Sequence, residues 1–248
     1  MKAFLVILFV AGASCAPKLH IPRIIGGENA EDGQFPYQVS IHLRGRHNCG
    51  GSIISVDSIL TAGHCLEPYN HNDLTVRVGS TKNNEGDEHW VDYYALHGFF
   101  NPYNLENDIG FIKILTQISY NDKVQPIPLQ IGEVDDGASC VVSGWGYTVY
   151  PGGVVPLDLH YVDLVTHPLE KCKTESLYEV FDTNICTYTR HGEGTCHGDS
   201  GGPLAANGKQ IGIVSWGEPC GVGYPDVFTK VSAYVDWINN NIKLREPK

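Results

Sequence analysis

The 248 residues include 28 Gly and 14 Pro, and only 18% are charged, which suits many short strands joined by turns rather than long helices. The formal charge is −11; Lys2, Lys18 and Arg23 precede residue 24 and no acid does, which leaves 14 basic against 28 acidic residues from residue 24 onward. That balance argues against nonspecific binding to nucleic acid or anionic lipid, which needs basic surface.

Residues 1–16 are predicted to be a signal peptide. Lys2 forms a minimal basic n-region, Phe4 to Ala11 is apolar, and Ser14-Cys15-Ala16 offers small residues for cleavage after Ala16. The apolar stretch is too short to span a bilayer and no later segment is a candidate span, so the expected location is secreted and extracellular, with no membrane partner. Tyr37 to Leu43 alternates apolar and polar residues, the period of a strand with one buried face. Leu74 to Val78 repeats the pattern, and Gln210 to Val214 is a more fully apolar strand candidate. Between them Ser119–Gln130, with Pro126 and Pro128, reads as a connector between two β-rich halves. Helical spacing emerges only at the end, at Val231, Tyr234, Val235, Ile238 and Ile242, with Ser232 as the expected cap and Asp236 near the positive end.

Export permits disulfides. Cleavage after Ala16 removes Cys15 and leaves Cys49, Cys65, Cys140, Cys172, Cys186, Cys196 and Cys220. Spacing alone does not fix their pairing, and an odd count needs an explanation. No His/Cys cluster has structural zinc spacing, and no metal or other cofactor is expected. The chain carries no Asn-x-Ser/Thr sequon, so no N-glycan is predicted.

Three short segments carry the chemistry. Ser200 lies in Gly198-Asp199-Ser200-Gly201-Gly202-Pro203. A serine hydroxyl is a weak nucleophile that needs a neighbouring base, and flanking glycines leave room for a substrate carbonyl to meet backbone N–H groups. His64 lies in Thr61-Ala62-Gly63-His64-Cys65, one of eleven histidines. Asp108 heads the apolar run Ile109 to Ile114, where a buried carboxylate is costly unless it accepts strong hydrogen bonds. Each segment alone has an ordinary structural reading as a turn, a structural histidine or a strand cap.

Together, and in this order, IIGG, TAGHC, NDIGFIKI, SGWG and GDSGGP resemble the trypsin/chymotrypsin family of serine proteases, over essentially residues 24–242. The resemblance implies an all-β fold of two antiparallel β-barrels with the active site between them: barrel one at about 24–124, barrel two at about 125–231, and a C-terminal helix at about 232–242. Residues 17–23 then become an activation propeptide and 24–248 the protease domain. It implies a catalytic triad of His64, Asp108 and Ser200, an oxyanion hole of the Gly198 and Ser200 N–H groups, and activation by cleavage between Arg23 and Ile24, whose new ammonium pairs with Asp199. It pairs Cys49–Cys65, Cys172–Cys186 and Cys196–Cys220. Ala206 stands where the family often places a partner for Cys140, so Cys140 is expected as a buried free thiol, with intermolecular pairing the alternative. Gly63 departs from the alanine usual before the histidine. The loop Ser80–Glu88 appears shortened and has Ser80 where calcium-binding relatives place an acid, so no calcium site is expected.

Specificity follows from the same resemblance. Gly194 stands at the base of the primary pocket, where trypsin-like members carry an acid. Ser215, Trp216 and Gly217 form one wall. A glycine base implies a deep, open pocket for Phe, Tyr, Leu or Trp, with burial worth about 1.5–3 kcal/mol. Asp226 aligns with another pocket position that is usually small. The Gly194 and Asp226 pair resembles arthropod chymotrypsin-like enzymes and serine collagenases, which implies secondary cleavage after Lys or Arg, unless Asp226 turns away to a partner of its own. Expected partners are protein or peptide substrates, an activating trypsin-like protease and protein protease inhibitors, with no nucleic acid and a monomeric chain. The competing class is a catalytically inactive homologue acting as a binding protein, which typically lacks a triad residue.

Overall fold

The computed structural model describes residues 25–218 and 220–243. The expected signal peptide and propeptide, with Arg23 and Ile24, lie outside the described residues. Thirteen strands alternate with turns: β1 Glu28–Asn29, β2 Gln38–Leu43, β3 Arg46–Ser55, β4 Ser58–Thr61, β5 Leu74–Val78, β6 Asp87–Leu96, β7 Gly110–Ile114, β8 Ser139–Gly144, β9 His160–His167, β10 Asn184–Thr187, β11 Pro203–Ala206, β12 Lys209–Gly217 and β13 Asp226–Lys230. The first barrel closes in the order β2-β3-β4-β7-β6-β5. The second runs β9-β10-β13-β12-β11-β8 and closes through β8 on β9, with β1 added at the edge of β9. Closure leaves each six-stranded barrel without a free edge.

The strand Leu74–Val78 falls where its alternation predicts, while the Gln210–Val214 run extends to Lys209–Gly217. The strand β2 is buried on both faces, not one: Gln38, Ser40 and His42 are as enclosed as Val39 and Ile41. The cause is non-local, because the second barrel covers the polar face. Gln38 Oε1 accepts from Ser143 Oγ at 2.6 Å, and Ser52 Oγ donates to Gln210 Oε1 at 2.7 Å. Buried polar groups need such partners.

The two barrels also meet backbone to backbone at Gly50. Gly50 N donates to Ser200 O at 2.8 Å, and a Cβ on Gly50 would lie 2.9 Å from Gly202 Cα. Residues 119–130 cross between the barrels, with a tight turn at Asn121–Val124: Ile127 N donates to Ile53 O on one side and Gln130 N to Gln210 O on the other. At the C-terminus the chain turns back onto the first barrel, where Val231, Tyr234 and Ile238 join its core. The α-helix there spans Val235–Lys243 and is preceded by a 3₁₀ turn at Val231–Tyr234. Ser232 therefore lies inside the tight turn, not at the cap position that periodicity suggested. A shorter helix, α1, covers Leu169–Glu175.

Disulfides link Cys49–Cys65, Cys172–Cys186 and Cys196–Cys220. Cys140 is free and buried. It shares a core cluster with Ala206 on the paired strand β11, and burial pushes its thiol up to about 12.

Candidate active site

His64 occupies a single 3₁₀ turn, Gly63–Cys65, immediately after β4. The Cys49–Cys65 bond ties that turn to β3. Asp108 sits just before β7, after Asn107, whose φ of 55° kinks the chain. Tyr234 Oη donates to Asn107 Oδ1 at 2.9 Å, and Asn107 Nδ2 donates to Phe99 O at 3.0 Å. These bonds hold a non-glycine residue in the left-handed region, which otherwise costs about 1 kcal/mol or more.

The Asp108 side chain is fully buried, and both of its oxygens are hydrogen-bonded. Oδ1 accepts from His64 N at 2.9 Å. Oδ2 lies 2.7 Å from His64 Nδ1 and accepts from Ser215 Oγ at 2.6 Å. Its own carbonyl accepts from Thr229 Oγ1 at 2.6 Å. A carboxylate is acceptor-only, so Nδ1 must carry the imidazole proton, leaving Nε2 as the basic nitrogen. Burial alone would lower the His64 pKa; the charge of Asp108 and its hydrogen bond reverse this and hold it above the ordinary 6.5. The sequence placed Ser215 only in the pocket wall and singled out Thr229 for nothing, yet both hydroxyls secure Asp108.

Ser200 lies just before β11 of the second barrel. Its successor Gly201 approaches so closely that a Cβ there would lie 3.1 Å from Cys65 Sγ, and that sulfur is 3.7 Å from His64 Nε2. Two peptide N–H groups beside Ser200 are aimed by what their neighbours do. His197 O accepts from Tyr147 N at 2.8 Å and Asp199 O accepts from Gly202 N at 2.9 Å. In a trans peptide the N–H points opposite to the carbonyl, so the Gly198 and Ser200 N–H groups point away from those bonds. Asp199 is wholly buried. Among the described residues, Oδ1 accepts from Gly146 N and Oδ2 from Cys196 N. Burial pushes its pKa up to about 7.

A cavity of about 180 Å³ opens beside Ser200, lined by residues that include Thr195, Cys196, Ser215, Trp216 and Gly217. Gly194 and Asp226 lie directly behind that lining. Gly194 is fixed from the far side, its N–H donating to Ile25 O at 3.1 Å. The position needs glycine: φ is 147°, and a Cβ would lie 2.5 Å from Asp226 Oδ2. A Cβ on Gly217 would lie 2.8 Å from Asp226 Oδ1. The pocket base is thus not the open glycine floor that the sequence suggested; the Asp226 carboxylate fills the space that both glycines leave. Oδ2 accepts from Thr195 N at 2.8 Å, and burial pushes Asp226 up to about 7. Gly63 also has a local reason. A Cβ there would lie 3.2 Å from the Phe100 ring and 3.3 Å from Asp108 Oδ1, so the glycine lets Phe100 pack against the base of the His64–Asp108 pair.

The sequence model of the Trypsin family matches residues 24–238. The chain belongs to the trypsin family of serine proteases. It is 43% identical over 220 residues to Chymotrypsin-2 of Vespa crabro, covering 88% of this chain and 99% of that one. It is 36% identical to Trypsin epsilon of Drosophila erecta, covering 89% and 88%, and 35% identical to Serine protease 1 of Homo sapiens, covering 98% of each. The solved structure of neuropsin, a serine protease expressed in the limbic system of mouse brain, superposes with a TM-score of 0.82 at 29% identity, covering 88% of this chain and 99% of that one. The chain is a serine endopeptidase of this family and acts on protein substrates. Its relatives include both chymotrypsins and trypsins, so family membership leaves the choice of substrate residue to the pocket.

Proposed function

We propose that the protein is a secreted zymogen whose cleaved form hydrolyses peptide bonds with a chymotrypsin-like preference, through His64, Asp108 and Ser200. The observation that carries the mechanism is the hydrogen-bonded Asp108, which holds His64 in one tautomer. Ser200 Oγ attacks the scissile carbonyl carbon while its proton passes to His64 Nε2. The resulting imidazolium is stabilised by Asp108, and the carbonyl oxygen becomes an oxyanion facing the Gly198 and Ser200 N–H groups. His64 then protonates the amine as the C–N bond breaks, leaving an acyl-enzyme. Water repeats the sequence and frees Ser200. Each oxyanion donor contributes about 3–4 kcal/mol to lowering the barrier.

Zymogen control rests on Asp199. Its described partners are two neutral N–H groups, and a buried carboxylate without a counter-charge is strongly unfavourable. The Ile24 ammonium freed by cleavage after Arg23 supplies that charge. Ile25, the next residue, is already bonded to Gly194 of the second barrel, and its side chain packs where a Cβ on Gly221 would lie. Arg23→Gln protein, never cleaved, is expected to be inactive; full activity would overturn the proposal. Secretion is supported by three disulfides in a chain of this size.

The primary pocket accepts Phe, Tyr, Leu or Trp against Ser215, Trp216 and Gly217, and takes Lys or Arg secondarily through Asp226. The carboxylate has acceptor capacity beyond its Thr195 bond, and an incoming cation offsets its desolvation. Profiling the residue before the scissile bond in wild type and Asp226→Gly tests this. Cleavage after Lys and Arg should vanish in the variant while cleavage after Phe and Leu persists. An unchanged profile would mean that Asp226 does not reach substrate.

A further inference from the structure

A chain of hydrogen bonds runs from a surface loop of the first barrel to the carbonyl of Gly198, through the buried His42 and the half-buried His47 on neighbouring strands. His47 Nε2 lies 3.0 Å from Gly198 O. A carbonyl only accepts, so Nε2 carries the proton and Nδ1 is the acceptor. Ser40 Oγ, 2.8 Å from His47 Nδ1, must therefore donate its single proton there. Ser40 Oγ is also 3.0 Å from His42 Nε2, and that nitrogen is 2.7 Å from Asn83 O. His42 Nε2 must again carry the proton, shared between Asn83 O and Ser40 Oγ. Donation then runs outward from His42: Asn83 O and Ser40 Oγ accept from His42, Ser40 donates to His47, and His47 donates to Gly198 O. Burial lowers His47 to about 4 and holds His42 below its ordinary value, so both rings are neutral in the working range and each keeps an acceptor nitrogen.

The surroundings fix this chain in space. His42 and His47 are cross-strand partners at a bulge between β2 and β3, with ring centroids 6.4 Å apart. The Trp145 ring packs edge-on against His47 at 5.4 Å, and its Nε1 donates to Thr81 O at 3.0 Å. Two carbonyls of one loop, Thr81 and Asn83, thus anchor the rings on either side of His47. The loop itself is held to the second barrel, since Asn83 Nδ2 donates to Pro156 O at 2.7 Å and Asn83 N to Leu157 O at 3.0 Å.

We propose that His42 is a positioning residue for the oxyanion hole: its shared N–H orients the Ser40 hydroxyl, and through it the His47 ring that holds the Gly198 carbonyl. The inference rests on reading the Gly198 N–H as an oxyanion donor. Gly198 has a φ of 102° and no side chain to restrain it. Its carbonyl bond fixes how the following peptide leaves, and hence the angle between the Gly198 and Ser200 N–H groups. Without His42, Ser40 gains a free acceptor site and its hydroxyl can rotate away from His47. That disturbance falls on the tetrahedral state, which uses both N–H groups, more than on substrate binding.

The test uses the cleaved enzyme, a Phe-directed peptide anilide and a peptide boronic acid ending in boroPhe, which forms a tetrahedral adduct with an active-site serine. Variants are His42→Leu, His42→Gln, Ser40→Ala and the Ser40→Ala/His42→Leu pair. His42→Leu should lower kcat about tenfold with KM within twofold, and weaken boronate binding by about the same factor. His42→Gln, whose amide N–H can reach Asn83 O, should stay within threefold of wild type. Ser40→Ala should match His42→Leu, and the pair should be no worse than Ser40→Ala alone, as expected for one relay. If His42→Leu does not fold, His42→Gln and Ser40→Ala carry the comparison. Unchanged kcat in Ser40→Ala, multiplied losses in the pair, or parallel changes in kcat and KM would overturn the role of His42 alone. Equal boronate affinity in wild type and Ser200→Ala would instead overturn the reading of Ser200 as the nucleophile, on which the oxyanion assignment stands.

Discussion

Two buried carboxylates flank the same cleft and are held very differently. Asp108, from the first barrel, receives His64 N, His64 Nδ1 and Ser215 Oγ, all within 2.9 Å. Asp226, in the second, accepts from Thr195 and lies against two glycines that leave it space. Residue type and burial are the same, so the donors decide the outcome. Both oxygens of Asp108 are hydrogen-bonded, two of the three donors coming from His64. Asp226 is pushed up to about 7, with Thr195 as its donor.

The sharpest way to break this contrast is Asp108→Asn. The amide cannot accept from both the His64 N–H groups and Ser215 in the same way, and it favours the wrong tautomer. The expected loss in kcat at pH 8 is about 10⁴-fold; a loss below tenfold would mean that Asp108 does not set the state of His64. The counterpart at Asp226 changes choice rather than rate. Asp226→Gly should cut cleavage after Arg or Lys relative to Phe by at least tenfold, read from competing peptides. Ser215→Ala removes one of the donors at Asp108 and should lower kcat about tenfold, the effect of losing one hydrogen bond to a charge; no change would show that the remaining donors suffice.

The contrast extends to stability. The folded value of Asp226 lies above its ordinary 3.8, so the fold resists its ionisation. The cost is absent below about pH 4, grows as pH rises and is complete above about pH 7. Asp226→Asn keeps an acceptor for Thr195 N and should raise Tm at pH 8 by several degrees with no gain at pH 4. A gain of equal size at both pH values would assign it to packing instead. The smallest effect is expected at Gly63→Ala. Its methyl would meet the Phe100 ring at 3.2 Å, a contact that a slight ring shift relieves, so kcat/KM should change less than threefold.

Much of this was legible in the sequence, because chemistry concentrates in contiguous motifs. GDSGGP and TAGHC bring their glycines and cysteine with them, and the resemblance that they carry named the disulfide pairs and left Cys140 alone. The strand at Leu74–Val78 was legible because its apolar residues alternate at strand period and Leu74, Val76 and Val78 all enter the core. The rest depends on contacts far apart in the chain. Ser215 reaches Asp108 across 107 residues and Thr229 reaches its carbonyl across 121, and no local pattern marks either hydroxyl. The polar face of β2 read as a solvent face because nothing nearby says that a second barrel will cover it. The Asp226 carboxylate fills space that two glycines leave, 32 and 9 residues away in sequence, which only the folded pocket brings together.

The central claim is that the Asp108–His64 pair arms Ser200, and the pH dependence of kcat/KM in the cleaved enzyme tests it most directly. His64 must be neutral to accept the Ser200 proton, and Asp108 holds its pKa above the ordinary 6.5, so the rate should climb through a single ionisation with its midpoint above 6.5 and be nearly lost at pH 5. A rate that stays flat between pH 5 and 8 would contradict the account.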